Sequence, residues 1–536
     1  MKRLLTSLFF VVGALACYAA NPTIAIVPRP ASVEVLQGEF VLSPKNVICF
    51  DDKSLAPTAQ FYAAELSDMC GRRPKIASRP IGKSPILLSL DDSFEEEQYT
   101  LHITPKAITV EGGSPKAVFY ALQSLLQIAA DAESSSAAGR LLPAVKIADK
   151  PYFGYRGAML DVCRHIFTVE EVKRYIDILA LHKINRFHWH LTDDQGWRIE
   201  IKRYPELAKI GAMRKETLVG KYRQSEIYDG TPYGGIFTQD EVREVVRYAA
   251  ERYIEVIPEI EMPGHAVAAL STYPHLGCSG GPYNVRTTWG ISKEVFCAGK
   301  DTTFEFIENV LAEVIALFPS KYIHIGGDEC PKGAWKACKA CQKRIAEEGL
   351  KDEHELQSYF VRRVEKWLKE HGRQIIGWDE ILQGGITQSA TVMSWRGKKG
   401  GIAAAKLGND VIMTPNTHCY IDYYQTESPA ENGEPLANGR RPLPASRVYA
   451  LDPYEGLTEA ECAHIKGVQV NLWTEYIATF DHVQHMLLPR LAALSEVGWS
   501  YDRKDFDDFC RRMNTLRKVY DAKSYNYAPY LFNGIK

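Results

Sequence analysis

The stretch Lys321-Tyr322-Ile323-His324-Ile325-Gly326-Gly327-Asp328-Glu329 (residues 321–329) reads as a short apolar strand running into two glycines and two adjacent carboxylates. The same pattern, an apolar run closed by chemically active residue types, recurs along the chain. Strand candidates cover 157–162, 185–191, 254–260, 321–326, 374–378, 391–395, 410–414 and 466–473. Helical periodicity fills most of the intervals, at 169–182, 239–252, 303–318 and 353–371, with a last helix near 482–494. Eight βα units predict a (β/α)8 TIM barrel. A doubly wound open sheet is the alternative, but no glycine-rich dinucleotide fingerprint follows the first strand. The strand ends decide between the two. They carry Asp161, His190 with Asp193, Glu259 with Glu261, Asp328 with Glu329, Trp378 with Asp379, Trp395 with Arg396, and Trp473 with Glu475. A barrel gathers all such ends on one face, whereas an open sheet brings only a few together.

Residues 21–150 read differently. Strand-like runs at 47–50, 85–90, 98–103 and 107–110 alternate with turns, the last two flanking Thr104-Pro105-Lys106 as a hairpin. A helix over 114–130 places Val118, Ala121, Leu122, Leu125 and Leu126 on one face, and a small-residue loop follows at 134–139. These features predict a small α+β domain before a barrel domain over 151–536. Residues 1–20 read as a signal peptide: Lys2 and Arg3, an apolar run from Leu4 to Ala16, then small residues. Cys17 admits a rival reading as a lipid-modified cysteine, although Ala14-Leu15-Ala16 matches a lipoprotein signal poorly. The expected localisation is export, periplasmic or extracellular, with no transmembrane segment in the mature chain.

The chain has 536 residues, 46% of them hydrophobic, enough for a large core. Its net charge of -2 gives no general attraction to nucleic acid or anionic membranes. The 9 Trp and 28 Tyr suit a protein that stacks on sugar rings, and equally one with a large core. With Cys17 set apart, an odd number of the 12 cysteines remains. Cys278 and Cys297 bracket one loop and can pair. Cys338-x-x-Cys341 resembles half a zinc site, but no second pair or His partner lies nearby in sequence, so a local disulfide or free thiols are expected rather than a metal.

Asp328 and Glu329 follow two glycines that let backbone turn sharply or approach a ligand. Neighbouring side chains on an extended segment point apart, so the two carboxyls can serve two roles. Glycoside cleavage needs such a pair: a proton for the leaving oxygen, and negative charge beside the developing oxocarbenium ion. His188-Trp189-His190-Leu191-Thr192-Asp193-Asp194 and Pro258-Glu259-Ile260-Glu261-Met262-Pro263-Gly264-His265 add histidines and carboxylates at neighbouring strand ends. A metal-dependent hydrolase using His188, His190 and His265 is an alternative.

Together these motifs resemble family 20 glycoside hydrolases, the β-N-acetylhexosaminidases, over nearly the whole mature chain. The matching segments are YRGAMLD (155–161), HWHLTDDQGWR (188–198), PEIEMPGH (258–265), HIGGDE (324–329), GWDE (377–380), SWRG (394–397) and LWTE (472–475). The N-terminal α+β region is similar to the family's accessory domain. The resemblance implies an exo-acting retaining enzyme that releases terminal non-reducing N-acetylglucosamine or N-acetylgalactosamine without a cofactor or metal. Its partner would be a glycan with a terminal β-linked HexNAc. It further implies Glu329 as general acid/base and Asp328 as the carboxylate that holds the acetamido N–H. Arg156 and Glu475 match residues on the ring hydroxyls, and Trp378, Trp395 and Trp473 match an aromatic box around the acetamido methyl. Tyr420 matches the contact to the acetamido carbonyl and Asp422 the contact to an outer hydroxyl. Asp193, chosen over Asp194, and His265 match a polar chain that tunes the acid. The implied mechanism is substrate-assisted, the acetamido oxygen attacking the anomeric carbon to give an oxazolinium intermediate. A catalytically silent sugar-binding protein of the same fold is the second alternative.

Overall fold

The structure, a computed structural model, describes residues 24–132, 134–135, 139–439 and 441–535. The expected signal peptide with Cys17, and part of the 134–139 loop, lie outside the described residues. Eight parallel strands close into a barrel: Tyr155–Asp161, Arg186–His190, Glu255–Glu259, Tyr322–His324, Gln374–Trp378, Thr391–Ser394, Val411–Met413 and Ile465–Leu472, which returns to pair with the first. Short stretches rich in Val, Ile and Met form these strands because both of their faces are covered. Helices such as Val169–Leu181 and Gln239–Ala250 begin where Thr168 and Thr238 form capping boxes with Glu171 and Glu241. They lay their apolar stripes on the outside of the barrel. The last helix departs from expectation. Two helices, Phe480–Leu487 and Arg490–Ser500, replace one, because Pro489 cannot donate a backbone bond inside a continuous helix.

The barrel interior is layered. Near the bottom and middle Tyr155, Ile257, Ile376, Met393 and Ile412 pack with Trp378 as an apolar cluster. Polar groups rise through it toward the C-terminal face. Tyr155 Oη donates to Gln469 Oε1 (2.8 Å), and the Gln469 amide reaches His188 Nδ1 (3.0 Å) and Asn471 Oδ1 (2.8 Å).

Before the barrel, a mixed sheet runs in the order Ser32–Leu42, Gly139–Asp149, Tyr99–Ile103, Ile108–Gly112, Ile86–Leu90, Ile48–Phe50, Ile76–Ala77. Tyr99–Ile103 and Ile108–Gly112 pair antiparallel, as the expected hairpin. Helix Pro115–Asp131 is buried along almost its whole length, packed on this sheet and against the C-terminal helix Phe506–Ala522. The sheet meets the bottom of the barrel through a buried polar junction. Lys183 Nζ reaches Tyr99 Oη (2.9 Å), Ser124 Oγ (2.9 Å) and Asp149 Oδ2 (3.3 Å), and Trp499 Nε1 donates to Asp149. Among the described residues no helix is long and apolar enough to cross a membrane.

Candidate active site

The C-terminal ends of the strands surround an open cleft of about 1270 Å³, lined by Arg164, Asp193, His265, Asp328, Glu329, Trp395, Tyr420, Asp422, Trp473 and Glu475 among others. The two glycines of HIGGDE are required by close packing. A Cβ on Gly326 would lie 1.7 Å from Glu261 Oε2, and one on Gly327 would lie 2.5 Å from Ile381 Cγ2. Both glycines take positive φ, and so do Glu329 (42°) and His265 (47°). A positive φ at a non-glycine residue costs on the order of 1–3 kcal/mol, and such residues concentrate where function fixes a geometry. The turn buries Asp328, whose side chain is 12% exposed, and leaves Glu329 at 32% facing the opening.

Behind the pair runs a chain of alternating charge. His265 Nε2 lies 3.6 Å from Glu329 Oε2 and 3.7 Å from Asp328 Oδ2, while its Nδ1 lies 3.1 Å from Asp193 Oδ1. Asp193 Oδ2 meets His190 Nε2 (2.9 Å), and His190 Nδ1 bonds Glu259. Burial opposes a charge on His265, but the Asp193 carboxylate outweighs it and raises the imidazole well above its ordinary value. Burial opposes ionisation of Asp193 too, yet Arg164 and His265 hold it well below the usual carboxylate range. Asp328 is pushed up to about 6, by burial first and then by Glu329 and Glu259, against the pull of His265. Glu261, facing Asp328 from the third strand end, is raised well above its ordinary value by burial and by Asp328.

The aromatic residues form one wall and its floor. Trp395 and Tyr420 stack with centroids 5.9 Å apart, and Trp473 lies 6.3 Å from Tyr420 and 5.9 Å from Trp378. Trp378 is only 1% exposed and sits below Trp473, its indole N–H on Glu259 Oε1 (2.9 Å). Glu380 Oε2 accepts from Trp395 Nε1 (2.9 Å), and Asp379 accepts from the Trp395 and Arg396 amides (3.1 Å each), so both acids of GWDE fix that ring. Burial and Asp328 raise Glu380 to about 8. On the far side Asp422 is buried and Glu475 half-buried, and desolvation raises both. Glu475 Oε2 has no hydrogen-bond partner among the described residues.

Every expected site residue but one stands at this face. Arg156 does not. It occupies the bottom of the first barrel strand, 1% exposed, paired with Glu97 Oε2 (2.8 Å) and donating to the Phe153 and Lys183 carbonyls. The reason is strand length: Arg156 precedes Asp161 by five residues, roughly 16 Å of strand at about 3.3 Å per residue. Of the arginines that line the cleft, Arg164, just past the strand, stands beside its carboxylates. It reaches Asp161 Oδ2 (3.1 Å), Asp193 Oδ2 (2.8 Å) and Gln195 Oε1 (2.9 Å), with its guanidinium 5.1 Å from the Trp473 ring. Arg164, Glu261 and Glu380 were missed as site residues. Asp161-x-x-Arg164 was the available signal, a charge pair at the end of the strand that carries it. Of the metal alternative's histidines, His188 and His190 contact Glu259 below the cleft surface together with His324, all three fully buried, whereas His265 stands at the cleft beside Asp193.

Comparison with known proteins agrees with this geometry. Residues 153–502 match the glycosyl hydrolase family 20 catalytic domain, and residues 23–150 match domain 2 of that family. A β-hexosaminidase of Porphyromonas gingivalis is 46% identical over 94% of this chain, which spans 64% of that relative's length. A β-hexosaminidase of Vibrio furnissii is 37% identical over 89% of the chain and 76% of the relative. The structure of a Vibrio harveyi exo β-N-acetylglucosaminidase in complex with N-acetylglucosamine superposes with a TM-score of 0.83 at 32% identity, covering 94% of this chain and 78% of that one. The chain belongs to glycosyl hydrolase family 20, with the family's catalytic domain following its domain 2.

Proposed function

We propose that the chain is an exported, exo-acting, retaining β-N-acetylhexosaminidase that removes terminal N-acetylglucosamine or N-acetylgalactosamine by substrate-assisted catalysis. One observation carries the reading: a buried carboxylate and a half-buried one that faces the opening, adjacent in sequence, stand at the edge of a tryptophan-lined cleft. Trp395, Trp473 and Tyr420, over Trp378, enclose the acetamido group and turn its oxygen toward the anomeric carbon, a proximity effect. Asp328 accepts the acetamido N–H and balances the charge that develops as the oxazolinium ring closes. Glu329 gives its proton to the leaving oxygen, then takes one from the attacking water. No protein carboxylate needs to bond the sugar. Arg164, Glu475 and Asp422 hold ring hydroxyls. Arg164 takes the part the resemblance assigned to Arg156, and Glu475 Oε2 is an acceptor awaiting a hydroxyl. His265 and Asp193 keep a positive charge behind the two reacting carboxyls.

The test is a matched pair of aryl glycosides. The aryl N-acetylglucosaminide should be hydrolysed with a kcat/KM several orders of magnitude above that of the aryl glucoside, which lacks the internal nucleophile. Comparable values would overturn the reading. Defined glycans with terminal HexNAc, scored product by product, identify the preferred sugar and linkage.

A further inference from the structure

Four cysteines that are distant in sequence converge beside the catalytic loops. Cys278 and Cys297 flank the loop that follows the His265 segment. Cys338 and Cys341 open the helix Lys339–Glu347 that follows Asp328 and Glu329. Cys278 Sγ lies 3.8 Å from Cys341 Sγ, and Cys297 Sγ lies 3.7 Å from Cys338 Sγ and 3.5 Å from Cys341 Sγ. All four sulfurs fall within 4.8 Å of one another. No second pair lies near Cys338-x-x-Cys341 in sequence; the fold supplies one in Cys278 and Cys297. A disulfide needs sulfurs about 2.05 Å apart. Four thiolates at about 2.3 Å from one tetrahedral zinc ion have sulfurs roughly 3.8 Å apart. The observed separations match the second geometry and not the first.

The backbone is shaped for that approach. Gly299 passes so close to the helix that a Cβ there would lie 2.2 Å from the Ala340 carbonyl carbon. Trp335 Nε1 donates to the Phe296 carbonyl (2.9 Å), and the Cys297 amide donates to the Leu276 carbonyl (2.9 Å), closing the hairpin that aligns Cys278 with Cys297. Cys338 is the residue before the helix and Cys341 lies in its first turn, where the unpaired amides favour negative sulfur. Cys297 and Cys341 are fully buried, while Cys278 and Cys338 are half-buried, leaving a path for an ion.

We infer that Cys278, Cys297, Cys338 and Cys341 form a structural zinc site that clamps the loop carrying His265 to the loop carrying Glu329. Soft thiolates in a closed tetrahedron select zinc over the harder divalent ions. The site takes no part in bond cleavage. Its work is to hold the 3.6 Å approach of His265 to Glu329. This inference does not depend on which sugar is cleaved.

The mature chain, purified without added metal or reductant, should contain about one zinc per molecule by elemental analysis. Its denatured, non-reduced mass should show these four cysteines unbridged. Cobalt replacement should give the intense thiolate-to-metal absorption of a tetrathiolate site. Cys297→Ser should lower zinc content at least tenfold, and Cys278→Ser, at a half-exposed ligand, gives the same readout if the buried variant does not fold. Wild-type protein without zinc, its four cysteines joined in two disulfides by peptide mapping, would overturn the proposal. So would zinc content unchanged in both variants.

Discussion

Two buried clusters of charge stand at opposite ends of the barrel, and their chemistry is opposite. At the bottom Arg156, Lys183, Glu97 and Asp149 meet as ion pairs, at 2.8 Å for Arg156 with Glu97 and 3.3 Å for Lys183 with Asp149. Burial opposes ionisation of Glu97, but Arg156 and Lys116 outweigh it and hold the carboxyl below its ordinary value. At the top carboxyls crowd one another. Asp328, Glu261, Glu380, Asp422 and Glu475 are all raised, burial being the first cause in each. The bottom cluster is neutralised by the fold itself and joins two domains. The top cluster keeps carboxyl oxygens without partners among the described residues, Asp328 Oδ1, both of Asp422 and Glu475 Oε2 among them, which the proposed substrate's amide and hydroxyls would meet. Buried charge alone does not mark a functional site; carboxyls crowded together at a cleft, whose ionisation burial opposes, do.

The sharpest contrast concerns the acid. Glu329→Gln should lower kcat on natural glycans by roughly 10²- to 10⁴-fold. Aryl glycosides with acidic phenols, which leave with little protonation, should lose far less. Equal losses on both substrates would remove Glu329 from the acid role. The two arginines come next. Arg156→Ala takes one cation from Glu97, which keeps Lys116 and Asn185, and leaves the Phe153 and Lys183 carbonyls without their donor, a change worth about 1–3 kcal/mol, so Tm should fall while kcat/KM of the folded enzyme holds. Arg164→Lys keeps the charge but loses the planar fork, and should lower kcat/KM on the order of tenfold with a smaller change in Tm. The reverse pattern would exchange their roles.

The smallest effect is a stability change that runs against activity. Asp328 is raised from 3.8 to about 6, so the folded state binds its proton more tightly than the unfolded chain does. Stability is therefore lost as pH rises through that window, and the deficit is complete above it. Asp328→Asn should be as stable as wild type near pH 4 and more stable near pH 7, by roughly 1–3 kcal/mol, read as a higher Tm there. Its kcat/KM should lack the fall that wild type shows as pH drops through about 6. A lower Tm for the variant at pH 7 would mean that Asp328 is paid for within the fold, as Glu97 is.

Much of this was legible in the sequence. All eight barrel strands lie where the apolar runs put them, because a strand covered on both faces needs continuous hydrophobic residues. The HIGGDE and GWDE segments were recognisable because catalysis restricts residue type at a strand end. What stayed hidden depends on direction or on distant contacts. Arg156 and Asp161 belong to one motif, yet a strand sends them to opposite ends of the barrel. Glu261 alternates with Glu259, and only the fold shows that one rises toward Asp328 while the other anchors three histidines. The two cysteine pairs are 41 and 63 residues apart and meet only because adjacent barrel loops do.

The central claim is that the substrate's own amide, not Asp328, attacks the sugar. Both routes retain anomeric configuration, so a trapping experiment must separate them. Wild type and Asp328→Asn would be titrated with a thiazoline fused at C1 and C2 of the sugar, which mimics the oxazolinium ring, and treated with a 2-fluoro sugar bearing a good leaving group. The account predicts thiazoline binding at least on the order of 10²-fold tighter than the free sugar, weakened in Asp328→Asn, and no covalent adduct by mass spectrometry. A stable glycosyl ester on Asp328, with thiazoline bound no more tightly than the sugar, would contradict it.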